Sequence, residues 1–448
     1  MRCYLTLAVL LALSLNAWAQ KTITLDQAIK TALQKNTTLQ KTEYSVVSNQ
    51  ATLKSSYGGL LPNLSVGGGW QWARISGKGG SYINNGILSV IPSSSDSRSF
   101  NLGAELSWTL FDGLASFSKV SQSRNDLEAA RQSLARVRQD IVFNTTSTYY
   151  DVLNAKQLVK VREDDLEYNQ KNLEIITERN KLGAVTLADV YAQQVNVGNA
   201  ELALIQAKNS YETLKSQFLN YLGLDVLEEI DLNDTIENDT LKIIDAQKLL
   251  NESSNLSQLV SQAFVNRADY KSAQYQLQSA NNGIDIAKSA YLPNLSFSNS
   301  YSTKADAIDN LNDSRTYQAG LNLNIPIFTG WSTERNVEVA KVNAQTQEVV
   351  LTEMERQIKM DIKKTYLDFQ AAQKQLEVSS KNVQSAQQNR QIEQEKYNLG
   401  SGTLVNLLLA TSNYTQALSS YINTKFQFYK MRSQLEYYLG ILDYNKFE

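Results

Sequence analysis

Two hydrophobic periods divide this chain. A period of two runs through Leu64, Val66, Gly68, Trp70 and Trp72, and again through Leu102, Ala104, Leu106, Trp108 and Leu110. It returns in Leu295, Phe297 and Tyr301, and in Tyr317, Ala319, Leu321, Leu323, Ile325 and Ile327. Such alternation predicts strands with one apolar face. At about ten residues each they have the length of a tilted membrane-spanning strand. The stretch from Ile75 to Ser99, rich in Gly, Ser and Asn, reads as a surface loop between the first two.

Elsewhere the period is helical. Val190, Gln193, Val197, Ala200, Leu204, Ala207, Tyr211, Leu214, Phe218 and Tyr221 follow a heptad. A second seam runs from Leu407 and Ala410 through Tyr414, Ala417, Tyr421, Thr424, Phe428, Met431 and Leu435 to Tyr438. A stripe this narrow predicts coiled-coil packing rather than a globular core face. Leu25 to Tyr57 reads as a further helix entered through Thr24 as cap, and Leu256 to Ser289 repeats it.

The second seam is the first one repeated. Leu110-Phe111-Asp112-Gly113 returns as Ile327-Phe328-Thr329-Gly330, Lys181-Leu182-Gly183 as Asn398-Leu399-Gly400, and Tyr221-Leu222-Gly223 as Tyr438-Leu439-Gly440, all at an offset of 217. Leu60-Leu61-Pro62-Asn63-Leu64 returns as Tyr291-Leu292-Pro293-Asn294-Leu295 at an offset of 231, so the first copy holds 14 more residues in the loop between its strands. The chain therefore divides into residues 20–223 and 256–440, two copies of one unit. Each has a helix, a membrane β-hairpin (about 63–111 and 294–328) and a long helical hairpin turning at 182–187 or 399–404. From Gly113 to Gly183 the rise is about 105 Å if wholly helical. Residues 441–448 form a tail.

Composition narrows the function. Residues 1–19 have Arg2, an apolar core and Ala17-Trp18-Ala19, the pattern of a secretory signal peptide. The single cysteine, Cys3, lies within it, so the expectation is a mature protein with no disulfide and no cysteine-borne lipid anchor. There is no histidine, which removes Ser-His-Asp triads and His-ligated zinc. No catalytic residue, cofactor or metal is expected, and a formal charge of −2 gives no sign of nucleic-acid binding. The 224–255 connector is acidic, with Asp225, Glu228, Glu229, Asp231 and Asp234 among its nine acids, and reads as solvated polypeptide outside the helices. Prolines (Pro62, Pro92, Pro293, Pro326) and the tryptophans Trp70, Trp72, Trp108 and Trp331 cluster around the strands, the latter as a membrane girdle. Four strands cannot close a barrel and lipid tolerates no open edge, so several chains must share one; three give twelve strands.

With its duplicated Leu-Pro-Asn-Leu entries, Phe-Asp/Thr-Gly exits and Leu-Gly turns followed by Thr186-Leu187 and Thr403-Leu404, the whole mature chain resembles the TolC-type outer-membrane efflux family. The resemblance implies a mainly α protein with a β-barrel contribution: a homotrimer with a shared twelve-strand barrel in outer-membrane lipid and a helical barrel in the periplasm. It also implies a passive duct for small molecules or exported proteins, working with a periplasmic adaptor and an inner-membrane transporter. The turns become tips, where Leu182, Gly183, Ala184, Leu399, Gly400 and Ser401 match adaptor-docking motifs. At the aperture Asp189 and Tyr397 match family residues, whereas Asn406 and Leu409 replace the acidic pair and Gly402 replaces a basic residue. Closure is then expected to rest on apolar packing of Leu404, Leu407, Leu408 and Leu409. The competing reading is a periplasmic coiled-coil scaffold without a pore.

Overall fold

Proline and glycine place the breaks between elements, and apolar periodicity decides what lies between them. The computed structural model describes residues 21–91, 93–233 and 256–447. The expected signal peptide with Cys3, Pro92 and the connector beyond Asn233 lie outside the described residues. Two compact units are built from alternating stretches of chain: one from residues up to Tyr44, Gln132–Tyr270 and Glu353 onward, the other from Ser45–Arg131 and Lys271–Thr352.

In chain order, β1 (Lys21–Ile23) precedes α1 (Leu25–Lys35), α2 (Thr37–Gly58), β2 (Asn63–Ser76), β3 (Gly80–Asn84), β4 (Ile87–Ile91), β5 (Ser94–Asp112), α3 (Ala115–Lys181) and α4 (Leu187–Leu222). The second copy follows β6 (Ile230–Leu232) as α5 (Leu256–Asn266), α6 (Ala268–Ser289), β7 (Asn294–Ala305), β8 (Arg315–Asn324), α7 (Ser332–Asn398) and α8 (Leu404–Tyr438). Both long helices, α3 and α7, have 67 residues. Among the described residues, no helix is long and apolar enough to cross a membrane.

Thr24 does cap α1, in a reciprocal capping box with Gln27. The expected single helix from Leu25 is broken at Asn36, whose backbone is extended and whose carboxamide oxygen accepts from Thr38 N at 2.9 Å. Arg267 interrupts the second copy in the same way. Short helices joined end to end leave room for a side chain to bond at the joint, and the two copies use that room differently.

The first unit holds the largest core, centred on aromatic side chains of α3, α4, α7 and α8. Tyr149 meets Phe218 edge-on at 5.9 Å, and Phe369 stacks on Phe428 at 5.4 Å. Every heptad position predicted on α4 and α8 is buried or half-buried. The start of the acidic connector departs from its expected solvation. Ile230 and Leu232 are buried, β6 pairs in parallel with β1, and Lys156 binds Asp231 at 2.7 Å. The acidic composition concealed an alternating Ile-Asp-Leu strand.

In the second unit the four-stranded sheet runs β2-β5-β7-β8, all antiparallel. The expected loop from Ile75 to Ser99 is largely strand: β2 and β5 stay paired to Ser76 and Ser94, and β3 with β4 form a further hairpin. Its turn is Asn85-Gly86, both at positive φ (48° and 81°), the geometry of a two-residue hairpin turn. Conversely, β8 stops at Asn324, short of the predicted Ile327, where Pro326 has no N–H to offer a ladder.

Candidate functional site

Register assigns the two faces of the sheet. Leu64 lies opposite Leu106, Val66 opposite Ala104, Ala104 opposite Tyr301, Phe297 opposite Leu321, and Tyr301 opposite Tyr317. These residues form one apolar face, continued by Trp70, Trp72, Trp108 and Leu323. Over the stretch shared by all four strands the other face is polar or small: Ser65 and Gly67 on β2, Gly103 and Glu105 on β5, Ser298, Ser300 and Ser302 on β7, Gln318, Gly320 and Asn322 on β8. On the edge strands β2 and β8 the apolar side chains Leu64, Val66, Trp70, Tyr317, Leu321 and Leu323 are exposed. A large uncovered apolar sheet face is a liability in water and a solvation match in lipid. Asn299, a polar residue within that face, donates to Tyr317 Oη at 2.7 Å.

Among the proposed girdle residues, Trp70 pairs with Phe100 at 6.5 Å and Trp108 donates its indole N–H to Leu60 O at 3.1 Å. Trp331 lies beyond the strands at the entry to α7, exposed, edge-on to Phe328. It shares a strained junction with its copy. Gly113 and Leu114, like Gly330 and Trp331, are consecutive left-handed residues before a long helix. Asp112 accepts from Ser116 N at 2.9 Å in the first junction, and Thr329 with Thr333 bond through their hydroxyls in the second, which accounts for the Asp/Thr-Gly motif.

Both tips turn on a left-handed glycine closed by backbone bonds. Ala184 N reaches Arg179 O and Ser401 N reaches Lys396 O, each at 2.9 Å, around Gly183 (φ 71°) and Gly400 (φ 74°). That geometry pushes Leu182 and Leu399 outward, each 83 % exposed, beside exposed Ala184 and Ser401. Gly402 is explained locally, since a Cβ there would stand 2.9 Å from Lys396 Cβ. Asp189 is engaged in the capping box of α4, bonding Thr186 N at 3.0 Å and Thr186 Oγ1 at 2.8 Å. Asn406 occupies the same place on α8, giving its N–H to Thr403 Oγ1 at 3.2 Å.

The expected closure by four leucines is redistributed. Leu404 and Leu407 are buried within one chain, against Ile176, Val190 and Tyr397, with Leu408 partly buried beside them. Burial in the hairpin pair withdraws Leu404 and Leu407 from the surface, while Leu408 stays partly exposed and Leu409 is exposed. Tyr397, expected at the aperture, also packs inside this cluster, under the guanidinium of Arg179 at 5.1 Å.

Sequence reasoning missed a charged knot at the second helix break. Arg267, 5 % exposed, binds Asp269 at 2.6 Å and faces Asp361 at 3.7 Å. Arg136 reaches Asp269 at 3.8 Å and Asp140 at 3.3 Å and lies 3.8 Å over the ring of Tyr437, whose hydroxyl donates to Asp140 at 2.6 Å. Burial pushes the Asp269 carboxyl upward, but the Arg267 hydrogen bond and the charges of Arg136 and Arg267 outweigh it and hold the group below the ordinary carboxylate value. Burial, aided by Asp140, raises the Tyr437 phenol against the pull of Arg136. The only sequence signal was a charged pair, Arg267 and Asp269, where the first copy has Asn36 and Thr38.

One two-faced membrane-type sheet built from two strand hairpins, together with two long helical hairpins, defines the class of outer-membrane channels that carry helical extensions. The chain belongs to the outer membrane efflux protein family, whose profile matches residues 28–224 and 259–441. It is an outer-membrane efflux channel protein of Gram-negative type, a passive conduit rather than an enzyme. It is 24 % identical over 361 residues to Protein CyaE of Bordetella pertussis, covering 80 % of this chain and 71 % of that one. To the outer membrane protein TolC of Salmonella enteritidis it is 22 % identical, over 86 % of this chain and 75 % of that one. In fold it matches the Campylobacter jejuni CmeC outer membrane channel (TM-score 0.77, 19 % identity, 94 % and 88 % covered). It likewise matches the outer membrane protein VceC from Vibrio cholerae (0.76, 19 %, 93 % and 96 %).

Proposed function

We propose that three copies of this chain join their sheets edge to edge, β8 of one against β2 of the next, into a twelve-stranded barrel in the outer membrane. The helical hairpins then form a periplasmic tunnel whose tips dock a periplasmic adaptor beneath an inner-membrane transporter. The chain is held by its barrel and not by a lipid. The observation that carries this reading is the sheet itself: two open edges, an exposed apolar face and a polar face, in an environment that tolerates no unpaired backbone. Exposed Leu182 and Leu399 at glycine turns supply apolar anchors for docking. Uncharged Asn406 and Leu409 contribute no carboxylate ring to the periplasmic aperture, and Asp189 there is held in a helix cap.

Membrane extraction and crosslinking test the two halves of the proposal. The protein should resist salt and alkali, dissolve in detergent as a trimer, and, with Leu182→Cys or Leu399→Cys, crosslink to an adaptor in the periplasm. Release by alkali as a monomer would support the scaffold reading and sink this one.

A further inference from the structure

The polar face of the sheet is almost uncharged, and its exception is informative. Among the described residues of the four strands, register puts three charges on that face: Glu105 and Asp112 on β5 and Lys304 on β7, of which Asp112 sits at the strand end and is bonded to Ser116. Glu105 lies opposite Ser65 on one side and Ser300 on the other, is exposed, and makes no ion pair among the described residues. It borders a concavity of about 420 Å³ shared with Ser65, Gly67, Gly103, Ser300 and Ser302. Of its glycines, Gly103 is closely packed, since a Cβ there would fall 3.2 Å from Tyr301 O, while Gly67 faces open space. They keep the surface around the carboxylate low and open to water.

The arginines of the sheet do not neutralise it. Arg98 lies opposite Trp72, Arg315 opposite Thr303, and Arg74 pairs with Asp96 at 3.5 Å; register puts all three on the apolar side. Lys304 faces Asn101, four residues further along the strand from the Glu105 level. That is roughly 13 Å, beyond the screening length of about 8 Å at physiological salt. The two charges therefore act at separate levels.

We infer that Glu105 sets the sign of the potential in the strand-lined part of the duct, drawing cationic solutes and repelling anionic ones at its level. This rests on the trimeric barrel reading, in which the polar face is the lumen and three Glu105 carboxylates share one height. The charge census of the tip gives it weight. With the Asp189 carboxylate hydrogen-bonded in a helix cap and Asn406 and Leu409 neutral, Glu105 adds an exposed, unpaired carboxylate to the conducting path.

The test uses cysteine as a local probe of potential. Ser300→Cys, and separately Ser65→Cys, are placed in the full-length chain in outer membranes. Each is reacted with a cationic trimethylammonium methanethiosulfonate and an anionic sulfonatoethyl methanethiosulfonate, against a control with no introduced cysteine. The cationic reagent should react faster at both sites relative to a free thiol. Glu105→Gln should lower the cation-to-anion rate ratio about tenfold, the scale of a focused surface potential. Glu105→Lys should invert the preference, and Lys304→Gln should leave it nearly unchanged. An unchanged ratio in Glu105→Gln, with both reagents reacting, overturns the role of Glu105 and leaves the barrel standing. If neither reagent reaches Ser300→Cys or Ser65→Cys while Leu321→Cys reacts freely, the polar face is not a lumen, and both readings fall.

Discussion

The two copies of the unit agree in backbone and differ in chemistry. Left-handed glycines recur in register at Gly113 and Gly330, Gly183 and Gly400, and Gly223 and Gly440. Gly223 abuts Lys35 O, where a Cβ would come within 3.0 Å, and Gly440 abuts Arg267 N, where one would come within 2.9 Å, so each return helix ends against the break in its own short helices. At that break one copy has Asn36, whose amide donates to Tyr221 O at 3.3 Å. The other has Arg267, buried in its carboxylate knot beside Tyr438 at 5.8 Å. Turn geometry admits few residues and is kept by both copies. Bonding at the joint admits many, and the copies are free to diverge there.

Arg267→Ala should break the comparison most sharply. It leaves partly buried Asp361 without its cation and Asp269 with Arg136 alone, a change that should cost roughly 3 kcal/mol, the lower end for a buried pair that loses one member. Asn36→Ala removes an amide cap and should cost about 1 kcal/mol. Denaturant unfolding followed by helical circular dichroism measures both. Equal losses would mean that the charged knot is not the stronger joint.

The strand-to-helix junctions give the next largest contrast. Gly113 and Gly330 share the same backbone, but a Cβ on Gly113 would meet Ser289 O at 2.6 Å and Leu292 Cβ at 2.8 Å, whereas Gly330 faces open space. Gly330→Ala should cost only the left-handed penalty, about 1 kcal/mol. Gly113→Ala adds overpacking against backbone and should reach about 3 kcal/mol. Melting midpoints of the two variants in detergent decide the matter, and a Gly330 variant as damaged as the Gly113 one would show that an unseen neighbour fills its space.

Acid should act on the second copy more than on the first. The Asp269 carboxyl is held below its ordinary value in the folded chain, so its contribution is fully present above about pH 3.9, the unfolded value. It is lost as pH falls through the lower folded value. Unfolding midpoints measured from neutral pH downward should drop in that acidic window. Asp269→Asn should flatten that part of the curve, at the expense of lower stability at neutral pH. A wild-type curve already flat there would remove the knot from the account of acid stability.

Much of this architecture was legible because it rests on period and punctuation. The heptads of α4 and α8, the alternation in β2, β5, β7 and β8, and the glycines at each reversal are local signals. What escaped was non-local or masked by composition. The β3-β4 hairpin was hidden in a Gly/Ser/Asn-rich stretch, although Asn85-Gly86 is a strong hairpin signal. The burial of Leu404, Leu407 and Tyr397 depends on Ile176 and Val190 from the other hairpin, which no single helix face reveals. The knot around Arg267 joins residues from α3, α6, α7 and α8, far apart in sequence. At the tip, the acid expected at the aperture also takes part in a helix cap, a role that Thr186 three positions earlier already signalled.

The smallest expected effect concerns that cap and sharpens the comparison most finely. Asp189 and Asn406 hold the same position, but Asp189 also accepts from the N-cap backbone and hydroxyl, and its charge lies at the helix N-terminus where an anion is favoured. Asp189→Ala should therefore cost about 1 kcal/mol of local stability and Asn406→Ala less, because α8 keeps its Thr403 cap while losing no reciprocal bond. Amide hydrogen exchange at Leu187 to Val190 and Leu404 to Leu407 resolves the difference within one molecule. Faster exchange confined to the first tip assigns Asp189 to the fold. Unchanged exchange, with altered conductance in Asp189→Ala, would instead return this carboxylate to the conducting path and make the first copy the one that carries charge at the tip.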